Sequence, residues 1–133
     1  MNFNEQPIIY GEFADYNGST CYPDMCRVFD KRKIGDKCMS DAYLREHGIK
    51  RYFSQSYVYD DKVSPTLTAH MDSLIPFNKA VFLSKEEVCR ISSFPLDYDF
   101  CNQQPHYICG MSVPPVMMAQ VASRIYEYWL SKL

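Results

Sequence analysis

The fold of the C-terminal half of this chain is decided by residues 107–130, which read YICGMSVPPVMMAQVASRIYEYWL. This stretch predicts a long helix near residues 113–131, which begins at Ser112. Pro114 and Pro115 fall in its first turn, where a missing amide donor costs nothing. Apolar side chains then recur at intervals of four, four and three residues, so one amphipathic stripe follows the helix. The stripe consists of Met117, Val121, Ile125 and Tyr128. A helix with this much apolar surface must pack against a core or against a partner.

A shorter helix is predicted near residues 85–93. The segment Ser84-Lys-Glu-Glu87 is a capping box, in which the Ser84 hydroxyl accepts from the Glu87 amide while the Glu87 carboxylate reaches back. The helix is expected to end at Phe94-Pro95, because proline disfavours helical geometry in the residue before it.

The first eighty residues show no long helical period and predict short strands joined by turns. One short helix is expected from Ser40 to His47, capped by Ser40 and stopped at Gly48. The β-prone runs are Pro7–Tyr10, Cys26–Phe29, Arg51–Tyr59 and Ala80–Leu83. The sequence therefore predicts an α+β fold, with a small, irregular β-rich lobe followed by two helices, the C-terminal one long and amphipathic.

Length and composition are those of a single globular domain. The chain has 133 residues, of which 47% are hydrophobic, so wholesale disorder is excluded. No apolar run approaches the roughly 20 residues that a membrane-spanning helix needs. The N-terminal stretch carries acids and no basic segment, which predicts a cytoplasmic chain without a secretory signal. The six cysteines are accordingly expected to be reduced thiols.

Motifs for catalysis or metal binding are missing from the sequence. Cys21 and Cys26 are spaced slightly too widely for a zinc ligand pair, and no second pair or neighbouring histidine completes four ligands. The three histidines are isolated, and the five glycines never pair into a phosphate-binding loop. Six ordinary thiols give no reason to choose one as a nucleophile. These patterns alone lead no further than a soluble α+β domain.

The charge of the chain is unevenly distributed. The net charge is −2, which argues against a free-standing nucleic-acid binder. Residues 27–51 nevertheless carry eight basic and four acidic side chains. On charge alone, this basic segment is typical of a solvated surface loop.

Three consecutive segments carry more information. They are Ser64-Pro-Thr-Leu-Thr-Ala69, Leu83–Phe100 and Tyr107–Leu130. In this order they resemble the C-terminal end of DNA (cytosine-5) methyltransferases. That family has a P-T-L/I-T block, then a stretch L-T-x-x-E-x-x-R-L-Q-G-F-P-x-x-Y, and last a block G-N-S-V-P-P. The resemblance runs from about Tyr59 to Trp129, with Met111 where most of the family has Asn.

The resemblance implies an incomplete methyltransferase. Residues 1–62 would be part of the target-recognition region, and residues 63–133 the C-terminal segment of the enzyme. In the complete enzyme a cysteine thiolate attacks a flipped cytosine, whose C5 then takes a methyl group from S-adenosylmethionine. The family's Phe-x-Gly-x-Gly, Pro-Cys and Glu-Asn-Val blocks have no counterpart here. The chain is therefore predicted to hold no catalytic residue and to be inactive alone.

The resemblance also implies two sets of site residues. Gly110, Met111, Ser112 and Val113 match the border of the S-adenosylmethionine site. There the glycine would permit close backbone approach, and the free amides of the helix start would suit a carboxylate or a ribose hydroxyl. Lys31, Arg32, Lys33 and Lys37 are predicted to contact DNA phosphates, with Arg27, Arg45 and Arg51 in reserve. Arg90 is expected to form a structural ion pair, and the base-reading side chains are not predicted.

Three interpretations of the function stay open. The chain is either a C-terminal fragment or small subunit of a bacterial or phage methyltransferase of the restriction-modification type, or a non-catalytic DNA-binding or protein-interaction module derived from one. Expected partners are double-stranded DNA and a catalytic methyltransferase domain or subunit. Self-association through the C-terminal helix is also predicted. An unrelated zinc or thiol module is the third and weakest interpretation.

Overall fold

A computed structural model describes residues 6–133, and residues 1–5 of the predicted recognition region lie outside the described residues. The helices are α1 (Pro23–Phe29), α2 (Met39–His47), α3 (Lys85–Ile91), α4 (Pro105–Met111) and α5 (Pro115–Tyr128). Short 3-10 helices cover Tyr10–Glu12 and Leu130–Lys132. The strands are β1 (Ser56–Val58) and β2 (Leu74–Pro76). The predicted α+β class is confirmed.

The β-rich N-terminal lobe is a wrong prediction for the part of the chain that the structure describes. Strands β1 and β2 form one parallel pair, in register from Ser56 opposite Leu74 to Val58 opposite Pro76. Of the four β-prone runs, only Arg51–Tyr59 contains a strand, and Ala80–Leu83 contributes a single bridge through Val81.

The run Cys26–Phe29 is helical because a helix start precedes it. Pro23 occupies the first position of α1, where its fixed φ favours the helix, and Asp24 lies in the first turn. The helical spacing then places Met25 and Phe29 on one buried face. Burial of this face outweighs the β-propensity of the individual residues.

The short helix predicted from Ser40 to His47 is confirmed as α2, and its stop at Gly48 has φ +67. Its cap differs from the prediction, because Cys38 occupies the N-cap position. The Asp41 carboxylate accepts from the amides of Lys37 at 2.7 Å and Cys38 at 3.2 Å.

The capping box of α3 is confirmed. The Glu87 amide donates to the Ser84 hydroxyl at 3.1 Å, and the Ser84 amide donates to Glu87 Oε2 at 2.8 Å. Helix α3 ends at Ile91, two residues before the predicted end.

The predicted helix over residues 113–131 is interrupted at its start. Helix α4 was not predicted, and Ser112 caps its C-terminus instead of beginning the next helix. Because each proline pushes the preceding residue towards extended backbone, α5 begins only at Pro115.

Two apolar cores hold the fold together, and each draws residues from both sides of position 62. The first joins Tyr10 and Val58 to Val88 and Cys109. The second joins Phe29 and Met39 to Ile75 and Phe82. Helix α5 contributes no buried residue to either core. Within residues 6–133, no helix has the length and apolar character needed to cross a membrane.

Candidate functional site

Arg32 serves the fold of the basic segment. Its guanidinium carbon lies 3.7 Å from the ring centroid of Phe29. Its Nε donates to the carbonyl of Phe77 at 2.7 Å, and a terminal nitrogen donates to the carbonyl of Phe29 at 3.1 Å. These bonds tie the end of α1 to the loop after β2, so Arg32 is committed to packing.

Lys31 and Arg45 are both paired. Lys31 Nζ lies 3.1 Å from a carboxylate oxygen of Glu46. Arg45 binds both carboxylate oxygens of Asp36, at 2.7 and 2.8 Å. This charge-assisted pair lowers the pKa of the buried Asp36 carboxyl and neutralises its charge.

Residues 33–36 form a tight turn that Asp36 holds in place, hereafter the 33–36 turn. The Asp36 amide donates to the carbonyl of Lys33 at 3.0 Å, and the Lys33 amide donates to the Asp36 carboxylate at 2.8 Å. Gly35 has φ +101, which a type II turn requires at its third residue. The Tyr59 hydroxyl closes the turn by accepting from the Gly35 amide at 3.2 Å and donating to the carbonyl of Asp36 at 2.6 Å.

Of the four predicted DNA-binding residues, Lys33 and Lys37 have side chains that are available to contact a ligand. Both are exposed, and neither side chain has a hydrogen bond or ion pair to any residue from 6 to 133. Of the reserve residues, Arg27 lies 3.4 Å from the Asp24 carboxylate, and the Arg51 guanidinium stacks over Phe53. Arg32 and Arg45 are thus committed to the fold, Arg27 and Lys31 form exposed surface pairs, and Lys33 and Lys37 have no side-chain partner among residues 6–133.

At the other predicted site, Gly110 packs directly on the Pro-Thr-Leu-Thr segment. A Cβ at this position would stand 2.2 Å from the carbonyl oxygen of Thr68 and 2.5 Å from the amide nitrogen of Ala69. The close approach that glycine permits is therefore made to this chain's own backbone. Met111, Ser112 and Val113 follow as an exposed connection to α5.

The donors expected at the start of the last helix are mostly unavailable. Pro114 and Pro115 have no amide hydrogen, and the Val116 amide donates to the Ser93 hydroxyl at 3.1 Å. The Ser112 hydroxyl donates to the carbonyl of Ile108 at 2.6 Å. The connection itself presents the exposed side chains of Met111 and Val113 and the lone pairs of the Ser112 hydroxyl.

A groove of about 630 Å³ lies beside this connection. Arg90 lines it and makes no ion pair with any residue from 6 to 133, so its predicted structural pairing is wrong for the described chain. Glu12 and Phe13 form another wall, and Val116 at the start of α5 completes it.

A second pocket, of about 420 Å³, lies next to the Gly110 contact. It is lined by His70, Gln103, Gln104, Tyr107 and the buried His106. Burial lowers the pKa of His106, against the opposing effect of a hydrogen bond to the Leu83 backbone. Burial therefore disfavours the protonated form of this histidine.

The sequence missed the residues that shape the 33–36 turn. Lys-Ile-Gly-Asp carries a short-range turn signal, because glycine is favoured at the third position of a type II turn. The partners Arg45 and Tyr59 are distant in sequence, and no local pattern indicates them. No group of three or more His, Cys, Asp or Glu side chains among residues 6–133 is placed to hold a metal ion.

No family model, no curated protein and no solved structure matches this chain. The relationship implied by the three C-terminal segments therefore stays a proposal.

Proposed function

We propose that this chain is the C-terminal fragment or small subunit of a DNA (cytosine-5) methyltransferase. It contributes DNA target recognition and one edge of the S-adenosylmethionine site, and it is inactive until a catalytic domain supplies the thiol. The observation that carries the proposal is the order of the three segments, together with the contact between the first and the third. Thr68 of the Pro-Thr-Leu-Thr segment packs on Gly110 of the Gly-Met-Ser-Val-Pro-Pro segment with no room for a side chain.

The two lysines of the basic segment support a DNA-facing role. Lys33 begins and Lys37 follows a turn whose backbone is fixed by Asp36 and Tyr59. Both lysines are exposed and have no side-chain partner in the part of the chain that the structure describes. A loop whose backbone is already fixed contacts phosphates without a further loss of backbone entropy. Phosphate contacts of this kind fix the register of a protein on duplex DNA.

The exposed apolar surface of the C-terminal helix favours the presence of a separate catalytic domain in the complete enzyme. Helix α5 has no buried residue, although Met117, Ile125 and Tyr128 are large side chains of its apolar stripe. Met111 and Val113, which precede the helix, are exposed as well. Exposed apolar side chains of this kind fit docking on a second domain that holds the rest of the cofactor site.

Duplex binding by the chain alone tests the recognition role. Fluorescence anisotropy between 20 and 300 mM salt should give a linear fall of log affinity with log salt. Replacing Lys33 and Lys37 by Gln should reduce the slope by about 0.9 per lysine. Lys85→Gln is the matched control, because Lys85 is an exposed lysine outside the basic segment. Absence of duplex binding at the lowest salt would remove the recognition role.

Complementation tests the enzymatic role. The chain is mixed with the product of a neighbouring reading frame that carries a Pro-Cys loop, and methyl transfer from labelled S-adenosylmethionine to duplex DNA is measured. Each protein should be inactive alone and the mixture active. Duplex binding without complementation would favour the alternative, a non-catalytic DNA-binding module.

A further inference from the structure

The 33–36 turn presents an isoleucine at its tip. Ile34 is 92% exposed, the most solvent-accessible isoleucine among the described residues. It lies between Lys33 and Gly35, so the side chain stands clear of both apolar cores. An aliphatic side chain at this position buries almost no apolar area in the fold and so adds little to its stability.

The tip is preorganised for contact. The 33–36 turn is closed by the Asp36 amide at 3.0 Å and by the Asp36 carboxylate at 2.8 Å. Arg45 and Tyr59 in turn hold Asp36 in place. A side chain on a fixed backbone loses little entropy on binding, so most of the apolar area that it buries is gained as affinity.

The charges around the tip select the partner. Lys33 and Lys37 lie on either side of Ile34 in the sequence and have no side-chain partner among residues 6–133. Of the carboxylates around the turn, Asp36 is neutralised by Arg45, and Asp41 accepts from the amides of Lys37 and Cys38. The complementary surface is therefore anionic on both sides of an apolar strip. Duplex DNA has this arrangement, since phosphates border grooves whose floor carries base edges and thymine methyl groups.

We propose that Ile34 enters a groove of duplex DNA and contacts the base edges while Lys33 and Lys37 contact the bordering phosphates. This assignment rests on the proposed function, because it requires the chain to bind DNA. It adds to that function an apolar base-contacting residue, which the lysines cannot provide. The 33–36 turn is then a recognition element, and Arg45 holds it in place through Asp36.

The test compares two exposed isoleucines. Ile34→Ser removes the apolar tip, and Ile49→Ser is the matched control, since Ile49 is 69% exposed and is likewise next to a lysine, Lys50. Duplex affinity is measured by anisotropy across the same salt series. Ile34→Ser should bind about tenfold more weakly with an unchanged salt slope. Ile49→Ser should bind within about twofold of the unsubstituted chain.

The outcomes separate this inference from the proposed function. Duplex binding that is equal in Ile34→Ser and Ile49→Ser would overturn the role of Ile34 and leave the recognition role intact. Normal duplex binding by Ile34→Ser with loss of complementation would also overturn it, by assigning the tip to a protein interface. No duplex binding by the unsubstituted chain would remove both. Equal urea midpoints of the two variants show that folding does not account for the difference, because neither side chain is buried.

Discussion

The carboxylate of Glu87 accepts a hydrogen bond from the hydroxyl of Tyr10 at 2.5 Å, across 77 residues of sequence. The same oxygen accepts from the amides of Asp15 at 3.1 Å and Tyr16 at 3.2 Å, and the second oxygen accepts from the Ser84 amide. Glu87 is fully buried, so its charge depends on these donors. The N-terminal loop is thereby fastened to α3, the helix that carries Arg90 into the larger groove.

Replacing Tyr10 by Phe should lower the free energy of unfolding by about 1–3 kcal/mol, because it removes one donor from a buried carboxylate. Urea unfolding followed by circular dichroism measures the change. Tyr52→Phe is the control, since the Tyr52 side chain is 84% exposed, and it should change stability little. Equal stabilities of the two variants would contradict the structural role of this hydrogen bond.

Replacing Gly110 by Ala tests the contact between Gly110 and the Pro-Thr-Leu-Thr segment. Helix propensity alone would make the change stabilising by about 1 kcal/mol, because Gly110 lies within α4. The added Cβ would collide with the Thr68 carbonyl oxygen, so we expect a loss of about 3 kcal/mol instead. Urea unfolding measures whether the free energy of unfolding of Gly110→Ala rises or falls. Gly48→Ala, which meets no atom within 4 Å, should lose about 1–2 kcal/mol through its positive φ alone.

Sequence patterns predicted the features of this fold that depend on neighbouring residues. The capping box at Ser84 and Glu87 and the helix stop at Gly48 rest on interactions three or four residues long, and both were found. The contacts of Glu87 with Tyr10 and of Gly110 with Thr68 join distant segments, so no local pattern indicates them. The β-prone residues after Pro23 were misassigned because helical burial outweighs their intrinsic preference.

The same distinction applies to the candidate site. The run of basic residues identified the segment, but the free and the structural cations differ only in tertiary contacts. Arg32 is not distinguishable from Lys33 by sequence, since the hydrogen bond from its Nε requires the carbonyl of Phe77 in another loop. Likewise, the prediction of a helix start at Ser112 is wrong because α4, which begins at Pro105, already contains the residues that lead into Ser112.

Arg32→Gln should therefore lower the stability of the fold, and this effect should exceed any loss of DNA affinity that comes from the removed charge. Loss of the stacking on Phe29 and of the bond to Phe77 is expected to lower the free energy of unfolding by about 1–3 kcal/mol. Lys33→Gln should leave stability within about 0.5 kcal/mol, because the Lys33 side chain is exposed and contacts no partner among residues 6–133. Urea midpoints measure both. A larger loss for Lys33→Gln than for Arg32→Gln would reverse the division of the basic segment.

The buried histidine predicts a pH dependence of stability. Burial lowers the pKa of His106 below its ordinary value of 6.5, so the folded state resists a proton that the unfolded chain accepts. The stabilising contribution is therefore complete above pH 6.5 and is lost as the pH falls below it. Between pH 7 and 5, the urea midpoint should fall in the unsubstituted chain and change less in His106→Gln. His70→Gln is the control, because His70 is exposed, and it should keep the original pH dependence.

Helix α5 should mediate self-association of the isolated chain. Met117, Ile125 and Tyr128 lie along one side of the helix and are exposed, so a second copy can cover them in a symmetric pair. Sedimentation velocity of the isolated chain should show concentration-dependent dimers or larger species, and the double variant Met117→Lys, Ile125→Lys should sediment as a monomer. Ser123→Lys adds a lysine on the opposite side of the helix and should associate like the unsubstituted chain. A monomer at all concentrations would contradict self-association. Loss of association in Ser123→Lys as well would assign the contact to the charge of the chain instead of to the apolar stripe.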